Sequence, residues 1–375
     1  MKITIVSHDA ALTGAPKIAF DIAWYLTQRH EVTLISKRDG PLSKMPQYQN
    51  MKYLVSNTSH ELGRISFTTG AAKAENLLAS VRPDILYVNS AAASEWCFAG
   101  YKMKIPVILH LHEMKNELLA FSRLDIFKFD MANYVDLLIT DSKEILNDLG
   151  RIEVVPFKKS YNFGVFVDLE TVLSRRSEIV PAPQNALGAK IDYHKPVIAM
   201  CGTGCVRKGS DIFFELASRL PNLDFLWIGP WAIDEHGAEH NPAYDGYSYH
   251  KLDNFYTTGM VENPYAYIDK CNVFVLPSRE DPNPLVVIEA LVLGKPCICF
   301  SSAGGSKQWL DQFGYVLSGR PNVKPLESFL PQLLKDNTER IWLNKSIEEI
   351  RTRADIKLKM KELENLLLDL VKSRL

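Results

Sequence analysis

Residues 273–305 read VFVLPSREDPNPLVVIEALVLGKPCICFSSAGG. The opening run, rich in Val and Phe, is a strand signal that ends in a polar loop. Asn283-Pro284 marks a helix start, with Asn283 as N-cap and Pro284 at the first helical position. Residues 285–293 continue as an apolar helix, Gly294 takes its C′ position and Pro296 blocks continuation. CICF then reads as a second buried strand. Strand, loop, helix and strand in this order make a parallel βα unit.

The same unit recurs on both sides. In the first half ITIVS, EVTLIS, DILYVN, PVILHLH and VDLLITD read as strands. Residues 17–28 and 71–80 read as helices, the first with a stripe of Ile18, Ala19, Ile22, Ala23 and Leu26. Ser142 is placed to cap a further helix. Residues 156–195 lose the pattern and hold Pro181 and Pro183, as a connection between domains does. A second series follows with KPVIAMCG, a helix over residues 210–219 that Ser210 can cap, and LDFLWIG. Residues 356–375 form a charged amphipathic helix. The expected fold is α/β, two doubly wound parallel-sheet domains over residues 1–180 and 190–350, with ligands at the carboxyl ends of the strands, in a cleft between the domains.

Composition fits this. The chain has 375 residues, 46% hydrophobic and 23% charged, with a net charge of -1. That length calls for two cores, and the charge balance speaks against a dedicated nucleic-acid binder. The apolar run of the N-terminus ends after Val6, too short for a secretory signal, and no uncharged run is long enough to span a bilayer. The expectation is a cytoplasmic protein, with peripheral contact at the inner face of the membrane left open. LLAFSRLDIFKFDMANY mixes Phe121, Phe127 and Phe129 with Arg123 and Lys128, which suits either a buried aromatic helix or such a surface. The six cysteines lack tight C-x2-C knuckles and read as buried thiols, so no metal site is expected.

Two stretches carry chemistry. In the quoted one, the first-turn amides of Leu285, Val286 and Val287 favour an anion, while Asp281 and Glu289 offer carboxylates that accept hydrogen bonds from hydroxyls. Glu289 sits among Val287, Ile288, Ala290 and Leu291, where a carboxylate needs a partner. The other stretch is CGTGCVRKGSDIFFELA, directly after the first strand of the second half. Gly202, Gly204 and Gly209 allow close backbone approach, and Arg207 and Lys208 bring charge able to offset a diphosphate leaving group without a metal. A P-loop would need the lysine after the glycine, and a dinucleotide fingerprint would need glycine at position 207, so both alternatives fail.

The quoted stretch resembles the retaining nucleotide-sugar glycosyltransferases of GT-B fold, family 4 (glycosyl transferases group 1). The hallmark is an acid, seven residues and Glu-Ala, then a Gly-x-Pro turn and a Gly-Gly loop. Asp281, Glu289, Ala290, Gly294, Pro296, Gly304 and Gly305 stand at those places, within a branch carrying Ser-Arg-Glu-Asp-Pro-x-Pro-Leu-Val. The first acid is usually Glu; Glu280 competes with Asp281, which the spacing favours. The wider family has a second basic residue five or six positions before the lysine, where this chain has Thr203 and Gly202, and Arg207 substitutes for it.

The resemblance implies two Rossmann-like domains, the first on the acceptor side with residues 356–375 packing back on it, the second binding the donor. It implies donor contacts from Gly14, Arg207, Lys208, Gly259, Met260, Asp281, Asn283, Leu285, Val286 and Glu289, with Glu289 on the ribose. Catalysis is assigned to His112, Asp281, Arg207 and Lys208. His110 lies on the same strand face as His112, and Asn89-Ser90 and Asp141-Ser142 end strands nearby. The implied reaction moves a sugar from a nucleotide diphosphate sugar, a UDP- or GDP-sugar, to a saccharide or lipid-linked saccharide in cell-surface polysaccharide or glycoconjugate synthesis, with no cofactor. The alternatives are a nucleotide-sugar epimerase of the same fold and a non-catalytic GT-B subunit of a glycosyltransferase complex.

Overall fold

A computed structural model describes residues 1–58, 66–233, 239–240, 252–335 and 339–374. The chain divides into two units, residues 1–164 with 357–375, and residues 165–356.

The sheet of unit 1 comprises β1 (Lys2–Ser7), β2 (Glu31–Ser36), β3 (Lys52–Val55), β4 (Ile85–Asn89), β5 (Val107–Leu111), β6 (Leu137–Thr140) and β7 (Ser160–Asn162). Its order is β3-β2-β1-β4-β5-β6-β7, with every neighbouring pair parallel. β4 and β5 are buried along their whole length, because helices cover both faces of a parallel sheet. The helix Gly14–Leu26 buries Ile18, Ala19, Ile22, Ala23 and Leu26, the stripe read from the sequence. It starts at Gly14, three residues ahead of the expected Lys17, because Pro16 fits a first turn.

Unit 2 carries β8 (Gln184–Asn185), β9 (Val197–Cys201), β10 (Asp224–Ile228), β11 (Ala232–Ile233), β12 (Glu239–His240), β13 (Phe255–Thr257), β14 (Val273–Val275), β15 (Cys297–Phe300) and β16 (Tyr315–Leu317). β11 and β12 form a separate antiparallel ribbon. The main sheet runs β16-β15-β14-β9-β10-β13-β8 and is parallel except for the edge pair β13–β8. The span expected to be a connection that could open with a strand holds β7, the helix Leu169–Arg175 capped by Asp168, and β8. No described helix is long and apolar enough to cross a membrane.

Both sheets reverse their order around one inner strand, β1 in unit 1 and β9 in unit 2. In unit 1 the chain moves from β1 to β2 and β3 on one side, then returns to place β4 on the other. Unit 2 does the same around β9, with β10 and β13 on one side and β14 on the other. Loops leaving the carboxyl ends of β1 and β4, and of β9 and β14, therefore diverge and open a crevice within each unit.

The last helix, Ile356–Lys372, belongs almost wholly to unit 1. Met360, Leu363 and Leu367 are fully buried. Glu364 receives Arg29 at 3.0 Å and His30 at 2.8 Å. Leu367→Ala is expected to lower the stability of unit 1 by about 2–5 kcal/mol, read as faster hydrogen exchange of β1 and β4 amides, with β9 and β10 amides unchanged.

Candidate active site

The crevice of unit 2 gathers three loops. Residues 202–209 follow β9, residues 276–284 follow β14, and residues 301–306 follow β15. Backbone and side chain stitch them together. Arg279 N–H donates to the Arg207 carbonyl at 2.8 Å, and Arg207 Nη1 donates to the Glu280 carbonyl at 3.1 Å. Asp281 N–H donates to the Ala303 carbonyl at 2.7 Å and its own carbonyl accepts from Gly305 N–H at 3.1 Å. The Arg279 guanidinium grips Asp211 with two bonds of 2.7 and 2.6 Å and also reaches the Val206 carbonyl at 2.6 Å.

The stitching brings Lys208 Nζ to 2.5 Å from Asp281 Oδ2, which also accepts from Ser278 Oγ at 3.1 Å. Asp281 is buried, while the neighbouring Glu280 is half-buried. Glycine is required at two points of the basic loop. A Cβ at Gly209 would lie 2.2 Å from the Pro277 carbonyl, and its φ is +72°. One at Gly204 would lie 2.0 Å from the Trp231 indole. Gly209 in its left-handed conformation precedes the helix Ser210–Arg219, so Ser210 is the first helical residue and not the cap expected of it.

Beside this pair stands the helix Leu285–Val292. Pro284 occupies the cap position with extended backbone, one residue later than the expected Asn283 cap, and Asn283 is buried just before it. Val287 N–H donates to the Pro284 carbonyl at 3.1 Å, which leaves Leu285 and Val286 as the first-turn donors facing outward from the helix. Gly294, with φ +72°, ends the helix as read. Glu289 is buried on it and accepts from the Tyr265 hydroxyl at 3.3 Å. Burial pushes the Cys201 thiol up, Glu289 adds to that and Lys208 opposes it, so all three share one neighbourhood at the end of β9. On the β10–β13 side, Gly229 bridges Gly259 and Met260 is exposed.

The crevice of unit 1 holds a buried hydrogen-bonded chain. His110 Nε2 and His112 Nδ1 reach the two oxygens of Asp141 at 2.8 and 2.7 Å. His112 Nε2 lies 2.9 Å from Asn89 Oδ1, and His110 Nδ1 lies 2.7 Å from the Tyr87 hydroxyl. Asn89 Nδ2 donates across the crevice to the Ala15 carbonyl at 2.8 Å. Glu113 accepts from Ser90 Oγ and from the N–H groups of Ala91 and His112. Burial, followed by the charge of His112, lowers His110 to about 4. For His112 burial works downward, but the charge and hydrogen bond of Asp141 and the charge of Glu113 outweigh it and raise the ring. Asp141 is lowered to about 2: burial raises it, and the two imidazoles more than offset that.

His110, His112 and Asp141 are also the described group able to hold a metal, with ligand atoms within 4.8 Å of one another. Each ring nitrogen already has a protein partner, so hydrogen bonds close the group. Gly14 is exposed at the start of its helix, and a Cβ there meets nothing within 4 Å, so packing does not demand glycine. Lys17 pairs with Asp21 at 2.6 Å.

Sequence reading missed Ser278 as a partner of Asp281, three residues away, and Tyr265 as a partner of Glu289; it also missed Arg279, whose contact with Asp211 spans 68 residues that no local spacing reports. Asn89 and Asp141 carried a signal, each being a polar residue at the end of an apolar strand.

Comparison with known proteins bears on this arrangement. Residues 12–168 match the family model for Glycosyltransferase Family 4, and residues 195–336 the model for Glycosyl transferases group 1. The fold is similar to the crystal structure of Anabaena HepE in complex with UDP-glucose, at 16% identity, with a TM-score of 0.78, covering 98% of this chain and 100% of that one. The chain has the GT-B fold. The family matches support a glycosyltransferase of this fold. An uncharacterized glycosyltransferase of Methanocaldococcus jannaschii is 22% identical over 340 residues, 81% of this chain and 80% of its own length. The N,N'-diacetylbacillosaminyl-diphospho-undecaprenol alpha-1,3-N-acetylgalactosaminyltransferase of Campylobacter jejuni is 24% identical over 162 residues, 43% of this chain. The chain spans only 41% of the length of that relative.

The histidine chain ties stability of the GT-B unit 1 to pH. The unfolded chain binds a proton at His110 near 6.5 and the folded one near 4. The unfolded state therefore holds more protons between these values, and stability falls as pH drops through that window. Integrated over it, His110 contributes up to roughly 3 kcal/mol of acid loss. Urea denaturation at pH 6.5 and pH 4.5 is expected to show this loss in the wild type and a smaller one in His110→Gln.

Proposed function

We propose that the protein is a retaining glycosyltransferase that moves a sugar from a nucleotide diphosphate sugar to an acceptor, with unit 2 binding the donor. The observation that carries this is the Lys208–Asp281 pair. A cation and a carboxylate stand together beside a helix N-terminus and glycine-rich backbone, with a second buried carboxylate, Glu289, close by. A donor offers each group an alternative partner: its diphosphate is an anion for Lys208 and Arg207, and its sugar hydroxyls are donors for Asp281. In this reading donor binding exchanges one ion pair for two better-matched contacts. Asp281, Asn283 and the amides of Leu285 and Val286 hold the sugar and phosphate. Glu289, steadied by Tyr265, takes the ribose hydroxyls. Gly259 and Met260 flank the base, and Gly14 lets backbone approach the phosphate.

When the bond from the sugar C1 to the diphosphate oxygen breaks, negative charge grows on the leaving oxygen. Arg207 and Lys208 offset it where they stand, without reorganisation. The acceptor oxygen bonds to C1 and passes its proton to the departing diphosphate oxygen, so the products are the glycoside and the protonated nucleoside diphosphate. Retention, through attack on the face of departure, follows from the family resemblance. The UDP-glucose complex of HepE supports a UDP-sugar donor. The name of the Campylobacter relative supports a lipid-linked saccharide acceptor in cell-surface glycoconjugate synthesis, and with it peripheral membrane contact.

Isothermal titration with UDP- and GDP-sugars tests the donor site. Glu289→Ala is expected to weaken the bound donor by about 1.5–3 kcal/mol. Unchanged affinity removes the ribose role. With the donor so identified, Lys208→Ala is expected to lower kcat by about 10²–10³, and a kcat within a factor of two of wild type rules out the leaving-group role.

A further inference from the structure

The hydrogen bonds around His112 determine its proton count. Asn89 donates its amide nitrogen to the Ala15 carbonyl at 2.8 Å, so the amide oxygen is the atom that faces His112 Nε2 at 2.9 Å. A carbonyl oxygen only accepts, and Nε2 must carry a proton. On the other side of the ring, Nδ1 lies 2.7 Å from Asp141 Oδ2. An ionised carboxylate also only accepts, and Nδ1 must carry a proton too. His110 differs. Its Nε2 proton goes to Asp141 Oδ1 at 2.8 Å, while Nδ1 accepts from the Tyr87 hydroxyl at 2.7 Å. One carboxylate thus serves two rings, one charged and one neutral.

We propose that Asp141 and Asn89 hold His112 as a permanent imidazolium at the carboxyl edge of the unit 1 sheet, a ring that cannot take a proton from a ligand and does not titrate near neutral pH. Asp141 and Asn89 are its positioning residues. With both N–H groups committed inside the protein, His112 has no lone pair to act as a base and no proton aimed outward. The residue is only 8% exposed, so the ring is held inside the protein. The charged and titratable groups that face it agree. Glu113 follows it in the chain, Glu117 projects from the helix Lys115–Arg123, Asp141 follows β6, and all three carboxylates raise it. His110 and His8 work against its charge, and burial keeps both lowered. Lys37 acts on His8. The charge state does not rest on the glycosyltransferase reading.

The test uses the full chain with ring-15N histidine and proton–nitrogen correlation spectra from pH 6 to 8.5. His112 is expected to show two protonated ring nitrogens throughout with no midpoint in the window, and His110 one. A wild-type His112 that titrates at or below the ordinary 6.5, or carries a single ring proton at neutral pH, overturns the proposal. In Asp141→Asn the His112 midpoint is expected to enter the window, a fall of at least about one unit. If that variant does not fold, the wild-type titration decides alone. A charged His112 in a chain that binds no nucleotide-sugar by calorimetry leaves the charge assignment standing and removes the glycosyltransferase reading.

Discussion

Each sheet reverses its strand order around one inner strand, β1 in unit 1 and β9 in unit 2, and the candidate chemistry follows from that constraint. Crossovers between parallel strands are right-handed, so a chain that changes direction around such a strand must send successive helices to opposite faces. The loops on either side of the reversal then part, and side chains at the strand ends meet without backbone between them. In unit 2 the parted loops carry Lys208 and Asp281. In unit 1 they carry Ala15 and Asn89, which bond across the gap.

The two crevices solve different electrostatic problems. In unit 2 a cation and a carboxylate partly shielded from water satisfy each other at 2.5 Å. Removing either partner would leave a charge with reduced solvation, which is more costly than losing an exposed ion pair. An incoming anion that replaces the carboxylate keeps the lysine neutralised throughout. In unit 1 the pairing is closed on every side. Asp141 has both oxygens occupied, and the histidines have both ring nitrogens occupied. One arrangement is suited to exchange partners, the other to keep them.

Much of the fold could be read directly. ITIVS, EVTLIS, VIAMC and CICF are short β-branched or apolar runs set between helices of regular period, and they became β1, β2, β9 and β15. The stripe from Ile18 to Leu26 was equally plain. Helix starts were missed by three residues at Gly14 and by four at Phe67, and caps were misplaced where Pro284 and Gly209 took the cap positions through backbone conformation, while Asn283 and Ser210 had been expected from their side chains. The stretch from residue 156 to 195 read as a connection with room for one strand at its start, because its strands have only three and two residues, too few to show a period. At the site, spacing singled out Asp281, Glu289 and the Arg207-Lys208 loop. It could not show that Lys208 reaches Asp281, or that one carboxylate at position 141 serves two histidines from β5 and the residue after it. Those are contacts between distant segments, and only the tertiary fold creates them.

Unit 2 is a single continuous segment, whereas unit 1 is assembled from both ends of the chain. A ribosome makes residues 1–164 first and the helix Ile356–Lys372 last. During synthesis unit 1 therefore exposes the apolar surface that Met360, Leu363 and Leu367 later cover, and it does so until all of unit 2 has been made. Unit 2 has every residue of its sheet before that helix appears. The segment translated in the middle can finish folding first, and the one begun earliest finishes last.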